Sequence, residues 1–209
     1  NGSVRISSDR AMPEGAVPRY EAHPPKPSPQ ELIELLKSRY QAADQVRRGI
    51  CLMNAGRYDE AAGAFAKAQQ LGSTDRSLSS YIAACLVGQG RNAEAAEQWG
   101  KLVEDEPDDA VSRIRHAQSL WAAGKAGAAI EALRTAIGDD AECAELHYQL
   151  GIMLAAMEKY EEAELRFTQA LTVNREHVEA LVSLALSCGA RGAAGREGGV
   201  DARRLCRRR

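Results

Sequence analysis

Small and large apolar residues recur among polar ones along residues 42–190 in a pattern that returns every 34 residues. Within each copy the apolar positions lie three or four residues apart, the spacing of one face of an α-helix. One position always holds alanine, and the position four residues later always holds a large side chain: Ala61 and Phe65, Ala95 and Trp99, Ala129 and Leu133, Ala163 and Phe167. Another position holds only small residues: Gly49, Ala83, Ala117, Gly151 and Ala185. Small residues where helices touch, and large ones where the gap is filled, predict one helical hairpin per copy.

A glycine marks the turn of each predicted hairpin, because Gly56, Gly90 and Gly124 stand at equivalent positions. Glycine adopts the left-handed backbone conformation that closes a helix at little steric cost. The fourth copy has Glu158 there, which predicts either strain of about 1 kcal/mol or another closure of the turn. The predicted helix pairs are 42–55 with 58–71, 76–89 with 92–105, 110–123 with 126–138, and 144–157 with 160–173, followed by an unpaired helix over 178–190.

The two ends of the chain differ in composition from the repeats. Residues 1–28 are rich in proline and poor in apolar side chains, which predicts a disordered arm. Ser28, Pro29 and Glu31 form a helix-start signal, so a capping helix is expected over 29–41. An alternative is that this helix covers part of the binding surface discussed below. Residues 191–209 form a basic tail rich in glycine and arginine, which is expected to be mobile.

The two most regular copies of the repeat resemble a known family. "GRYDEAAGAFAKAQQLG" and "EKYEEAELRFTQALTVN" are similar to the tetratricopeptide repeat, and the third copy is the weakest match. A coiled coil is excluded because it needs a seven-residue period. The resemblance implies an all-α fold, a right-handed α-solenoid of about four and a half helix-turn-helix repeats. The implied repeats are 42–75, 76–109, 110–143 and 144–177, followed by the capping helix 178–190.

Composition and charge narrow the classes of partner. The chain is 44% hydrophobic and 27% charged, as in a folded globular protein, and its net charge is -2. Its tail is basic and its body acidic, so nucleic acid is an unlikely partner except through the tail. No run of about 18 apolar residues predicts a membrane span. Five cysteines without a CxxC pair suggest free thiols in a reducing compartment, which favours a cytoplasmic location.

Signatures of catalysis are missing from the sequence. It has no HExxH zinc motif, no GxSxG nucleophile elbow and no GxxxxGK[ST] phosphate loop. The four histidines have no metal-site spacing. We therefore expect no catalytic residues, no metal and no cofactor, and we expect that the protein is not an enzyme.

A stack of such hairpins curves and leaves its first helices lining a concave groove. By the resemblance, the second, fifth, ninth, twelfth and thirteenth residues of each copy face that groove. Trp99 is expected in the core, whereas Trp121 is expected in the groove. The candidate partner-binding residues are Ile50, Met53, Asn54, Ser80, Val87, Ile114, Gln118, Trp121, Tyr148 and Ile152.

One specialisation of the family holds a terminal carboxylate of its ligand with lysine, asparagine and arginine side chains. At those positions this chain has Val46, Ile50, Tyr81, Val111 and Arg115. Only the arginine is retained, so this clamp is not expected.

These observations favour a non-catalytic adaptor that binds a peptide or helical segment of a partner protein in the groove. Two alternatives remain open. One is an oligomerisation or assembly scaffold that self-associates, and the other is a regulatory module cut from a larger protein.

Overall fold

A computed structural model describes the backbone of residues 28–206 and the side chains of residues 28–192. This part of the chain contains α-helices and no strand. The helices are α1 (Pro29–Asn54), α2 (Tyr58–Gln70), α3 (Leu78–Gly88), α4 (Asn92–Asp105), α5 (Ala110–Ala122), α6 (Ala126–Asp139), α7 (Ala144–Ala156), α8 (Tyr160–Val173) and α9 (Val178–Cys206). The predicted all-α repeat solenoid is confirmed, with four hairpins followed by one further helix.

The chain divides into two units, residues 1–36 and residues 37–209. In the first unit, the helix-start signal works as the sequence indicates. The Ser28 amide donates to Glu31 Oε2 at 2.6 Å, and the Glu31 amide donates to Ser28 Oγ at 3.3 Å. This reciprocal pair satisfies two amides at the helix start. The proposed arm over residues 1–28 lies, apart from Ser28, outside the described residues.

Helix α1 has no break near residue 41. The sequence pattern predicted a capping helix over 29–41 and a separate first repeat helix over 42–55, whereas one helix runs over Pro29–Asn54. The stretch between Lys37 and Asp44 contains neither glycine nor proline, so nothing interrupts its hydrogen bonds. The apolar residues near its start remain at least two-fifths exposed: Leu32, Ile33, Leu35 and Leu36.

The turns inside the hairpins use the left-handed conformation. Gly56, Gly90 and Gly124 have φ values of 74°, 75° and 78°, and Glu158 has 61°. Glu158 closes its turn with the same hydrogen bonds as Gly56: its amide donates to the Ala155 carbonyl at 2.9 Å. The fourth turn therefore keeps the common geometry and carries the strain, about 1 kcal/mol, instead of closing in another way.

Buried residues of the second unit form three apolar clusters along the chain. The first joins α1, α2 and α3 around Phe65, and the second joins α3 and α4 around Trp99. The third runs from α5 to α8 around Leu133 and Phe167. The aligned alanines Ala61, Ala95, Ala129 and Ala163 are all fully buried. Each hairpin thus packs mainly on its neighbours, as in repeat proteins generally.

Helix α9 differs from the predicted helix in its end and in its packing. It continues to Cys206, past the predicted end at residue 190, and no proline follows Val178 to stop it. Ala185 is exposed, although the small residues at the equivalent position of the other four copies are buried. The reason is that, within residues 28–206, no second helix follows α9 to pack against this residue. Among the described helices, none combines the length and apolarity needed to cross a membrane.

Candidate functional site

We call the solvent-facing side chains of the first helices α1, α3, α5 and α7 the first-helix surface, and a cavity lies beside three of these helices. The cavity has a volume of about 460 Å³ and lies where α1, α3, α4 and α5 meet. Three of the predicted groove residues, Met53, Ser80 and Val87, are in its wall. The full lining is Met53, Ser80, Tyr81, Ala84, Val87, Trp99, Asp109, Val111, Ser112 and Arg115.

The wall of the cavity is mainly apolar. Val87 is 44% exposed and Val111 is 60% exposed, so two branched side chains are open to solvent at this site. Trp99 is only 5% exposed, which confirms its place in the core even though it also contributes to the wall. Exposed apolar side chains beside a cavity are typical of surfaces that bind a partner.

Asp109 stands at the start of α5 and caps that helix. Its carboxylate accepts hydrogen bonds from the amides of Val111 and Ser112, both at 3.1 Å, and from Ser112 Oγ at 2.6 Å. These bonds favour the ionised form, and the hydrogen bond from the Ser112 side chain is the main reason that the pKa of Asp109 is lowered. The carboxylate therefore orders the helix start at the edge of the cavity.

Arg115 is the cationic side chain of the lining. Its Nη1 donates to Gln118 Oε1 at 3.3 Å, and no carboxylate of the described residues lies within ion-pair distance. Arg113, two residues earlier, is different, because its side chain is only 10% exposed and its Nη2 is 3.0 Å from Asp139 Oδ2 of α6. Arg115 therefore faces solvent, whereas Arg113 links α5 to α6.

A row of polar contacts continues from Arg115 across the third and fourth hairpins to the residue before α9. Gln118 Nε2 donates to Gln149 Oε1 at 3.1 Å, and Gln149 Nε2 donates to Glu145 Oε1 at 2.7 Å. Glu145 Oε2 lies 3.3 Å from His177 Nε2, just before α9. The row links α5, α7 and the start of α9. Within the described part of the chain, no three metal-ligating side chains are grouped to hold an ion.

The remaining candidate residues are not all open to a partner. Ile114 is buried at 9% exposure in the third cluster, so its place among the groove residues is corrected to the core. Trp121 and Tyr148 are half-buried and pack against that cluster, and Ile50 packs in the same way against the first. Asn54 and Ile152 are exposed. Ile114 is buried, unlike Asn54 and Ile152, because it belongs to the third cluster together with residues of α6, α7 and α8.

Several lining residues were missed as parts of an apolar cavity. The family resemblance indicated Tyr81, Val111 and Arg115 only as positions of a carboxylate clamp, and the repeat pattern did not indicate Ala84 or Asp109 as groove residues. The turn sequence "EPDD" does signal a helix cap at Asp109. No periodic signal indicates that these side chains enclose a space, because the space depends on the distance between hairpins.

Two segments of the chain, residues 31–76 and 114–156, match the family described as Tetratricopeptide repeat. They cover nearly all of the first hairpin, most of the third and the first helix of the fourth. No curated protein sequence matches the chain.

Solved structures of the same family share the fold. YrrB, described as a TPR protein with an unusual peptide-binding site, is 23% identical over 74% of this chain and 78% of its own, with a TM-score of 0.57. The thermophilic TPR protein TTC0263 of Thermus thermophilus is 25% identical over 71% of this chain and 84% of its own, with a TM-score of 0.56.

MamA from Desulfovibrio magneticus RS-1, residues 41 to the end, is 23% identical over 71% of this chain and 82% of that chain, with a TM-score of 0.58. At such identities the likeness concerns the fold. Together with the 34-residue period and the stacked hairpins, these matches show a tetratricopeptide-like repeat fold, and the family model itself matches residues 31–76 and 114–156.

Proposed function

We propose that this protein is a non-catalytic adaptor that binds a peptide or helical segment of a partner protein on its first-helix surface. Tetratricopeptide repeat proteins are generally scaffolds for protein or peptide partners. The observation that carries the proposal is the cavity of about 460 Å³ between α1, α3, α4 and α5. Its size falls in the range of about 300–1,000 Å³ typical of binding sites.

Several features of the first-helix surface support this assignment. Met53, Ser80 and Val87 line the cavity, and Asn54 and Ile152 are exposed on the same set of helices. Gln118, Trp121 and Tyr148 extend the surface with half-buried side chains. Half-buried aromatic rings are frequent anchors of protein interfaces. YrrB, which has a similar fold, is described as having a peptide-binding site.

The proposal is tested by selecting peptides on the full chain from a random-peptide display library. Val87→Asp places a charge in the apolar wall and should lower the affinity for the selected peptides by about tenfold or more. Leu165→Asp is the matched control, because Leu165 is 55% exposed on α8, outside the cavity. Failure to select any peptide, or equal binding to Val87→Asp, would contradict the adaptor function.

Self-association is a second candidate, and the open side of α9 favours it. Val178, Leu181, Val182 and Leu186 are 49–69% exposed there. An uncovered apolar helix face of this kind is typical of contacts between protein copies.

The cellular location is proposed from the thiols. The four described cysteines, Cys51, Cys85, Cys143 and Cys188, are free. Burial raises the pKa of Cys85, which keeps this residue as an unreactive thiol at neutral pH. Free thiols favour a reducing compartment such as the cytoplasm.

A further inference from the structure

The cavity on the first-helix surface combines an apolar wall with a single cationic group. Met53, Ala84, Val87 and Val111 supply aliphatic surface, and Arg115 supplies the charge. The volume of about 460 Å³ admits one or two aliphatic side chains. The apolar wall therefore favours an aliphatic group inside the cavity, and the charge of Arg115 favours a negatively charged group beside it.

The carboxylate of Asp109 and the hydroxyls of Ser112 and Ser80, three other lining residues, are already engaged. The Asp109 carboxylate accepts three hydrogen bonds within the start of α5, one of them from Ser112 Oγ at 2.6 Å. Ser80 Oγ donates to the Ser77 carbonyl at 2.7 Å. The protons of both serine hydroxyls are thus used inside the protein. Three of the roughly four acceptor sites of the Asp109 carboxylate are therefore occupied, which leaves one for a donor of the ligand.

Arg115 has unused capacity. A guanidinium carries five N–H donors, and the structure shows one bond, from Nη1 to Gln118 at 3.3 Å. No carboxylate in the described part of the chain lies within ion-pair distance of Arg115, whereas Arg113 on the same helix is bonded to Asp139. The planar guanidinium binds a carboxylate with two parallel hydrogen bonds. Charge complementarity therefore calls for an acidic group on the ligand.

We propose that the cavity binds a partner segment with an aliphatic side chain next to an aspartate or glutamate, the aliphatic group entering the cavity and the acidic side chain pairing with Arg115. This inference rests on the proposed adaptor function and specifies its ligand. The carboxylate comes from a side chain, because a chain terminus is held by several converging donors and only one guanidinium is present in this lining.

The test uses the peptides selected on the full chain from the random-peptide library. Peptides that lose affinity for Val87→Asp should carry leucine, isoleucine, valine or methionine within two residues of an acidic residue. Arg115→Glu should weaken them by about tenfold or more, and selection on this variant should enrich lysine or arginine instead. Arg48→Glu is the matched control, because Arg48 is exposed on α1 outside the cavity.

Two further variants separate the apolar contact and the source of the charge. Ala84→Leu fills the cavity with Arg115 intact and should also weaken the peptides, with the melting temperature measured to verify folding. Amidation of the peptide C-terminus should leave affinity unchanged. Enrichment of no acidic residue, equal binding to Arg115→Glu, or loss of binding on amidation would overturn the inference. If the inference fails in this way but the selected peptides still lose affinity for Val87→Asp, the adaptor function is still supported.

Discussion

Gly49 and Gly151 hold equivalent positions in the first and fourth hairpins, and each lies against a phenylalanine ring. A β-carbon on Gly49 would lie 2.5 Å from the ring of Phe65, and one on Gly151 would lie 2.5 Å from the ring of Phe167. These distances are shorter than real carbon contacts, so no larger residue fits without movement. The small residue and the ring form one unit of packing within each of these hairpins.

Gly151→Ala should lower the free energy of unfolding by about 1–3 kcal/mol, because the Phe167 ring is fully buried and has nowhere to move. Gly63→Ala in α2 is the matched control, because nothing lies within 4 Å of its added methyl group. That change should raise stability by up to about 1 kcal/mol through helix propensity. Urea unfolding measures both, and a stabilising Gly151→Ala would contradict the packing described here.

Helix boundaries follow local chemistry where a capping group or glycine is present. Asp109 begins α5 by accepting the amides of Val111 and Ser112, and Gly124 ends the turn after it with a φ of 78°. Where no such signal stands, as between Lys37 and Asp44, the helix continues. Helix length is therefore set by stop signals more than by the repeat period.

Asp109→Ala should lower the free energy of unfolding by about 1 kcal/mol at neutral pH, since the cap of α5 is lost. The folded state lowers the pKa of Asp109, so the contribution of its charge is complete above the unfolded pKa of about 3.9. It disappears as the pH falls through the lower folded value.

The stability difference between wild type and Asp109→Ala should thus shrink in acid. Asp109→Asn is the control, because asparagine still caps the helix without a charge and should remove this acid dependence. Chemical unfolding over an acid pH series provides the measurement. A constant difference between wild type and Asp109→Ala at every pH would show that the charge contributes nothing.

At the scale of the whole repeat unit, residues 37–209, the apolar core is divided among successive hairpins and has an open end. Ala180 and Ser187 of α9 are buried, and Leu184 packs against the third cluster. The other side of α9 exposes Leu181, Val182 and Leu186, because in the described part of the chain no second helix completes a fifth hairpin. The stack therefore ends with an apolar face suited to a further helix.

Val182→Asp combined with Leu186→Asp should weaken self-association by about tenfold or more, because the charges would be buried in the contact. Sedimentation velocity over a concentration series measures the effect. Leu165→Asp, which changes an exposed leucine of α8, should associate like the wild type. A wild-type chain that remains monomeric at every concentration would exclude the second candidate function.

The sequence by itself determined the hairpins and their turns. A period of 34 residues places alanines and large side chains at helix spacing, and the backbone hydrogen bonds of a helix join residues only four apart in the chain. The cap at Ser28 and the turn glycines also act locally, so they are readable. Even the irregular Glu158 could be named in advance, although only the structure shows that it keeps the left-handed turn.

The tertiary structure decided which residues face a partner. Ile114 and Val111 both lie in α5, yet Ile114 is buried and Val111 is exposed in the cavity wall. The cavity exists only because α1, α3, α4 and α5 meet at particular distances, and the same packing leaves Arg115 without an ion-pair partner among the described residues. The side chains of neighbouring hairpins set these distances. A repeat pattern aligns those side chains in the sequence but does not specify how far apart the helices lie.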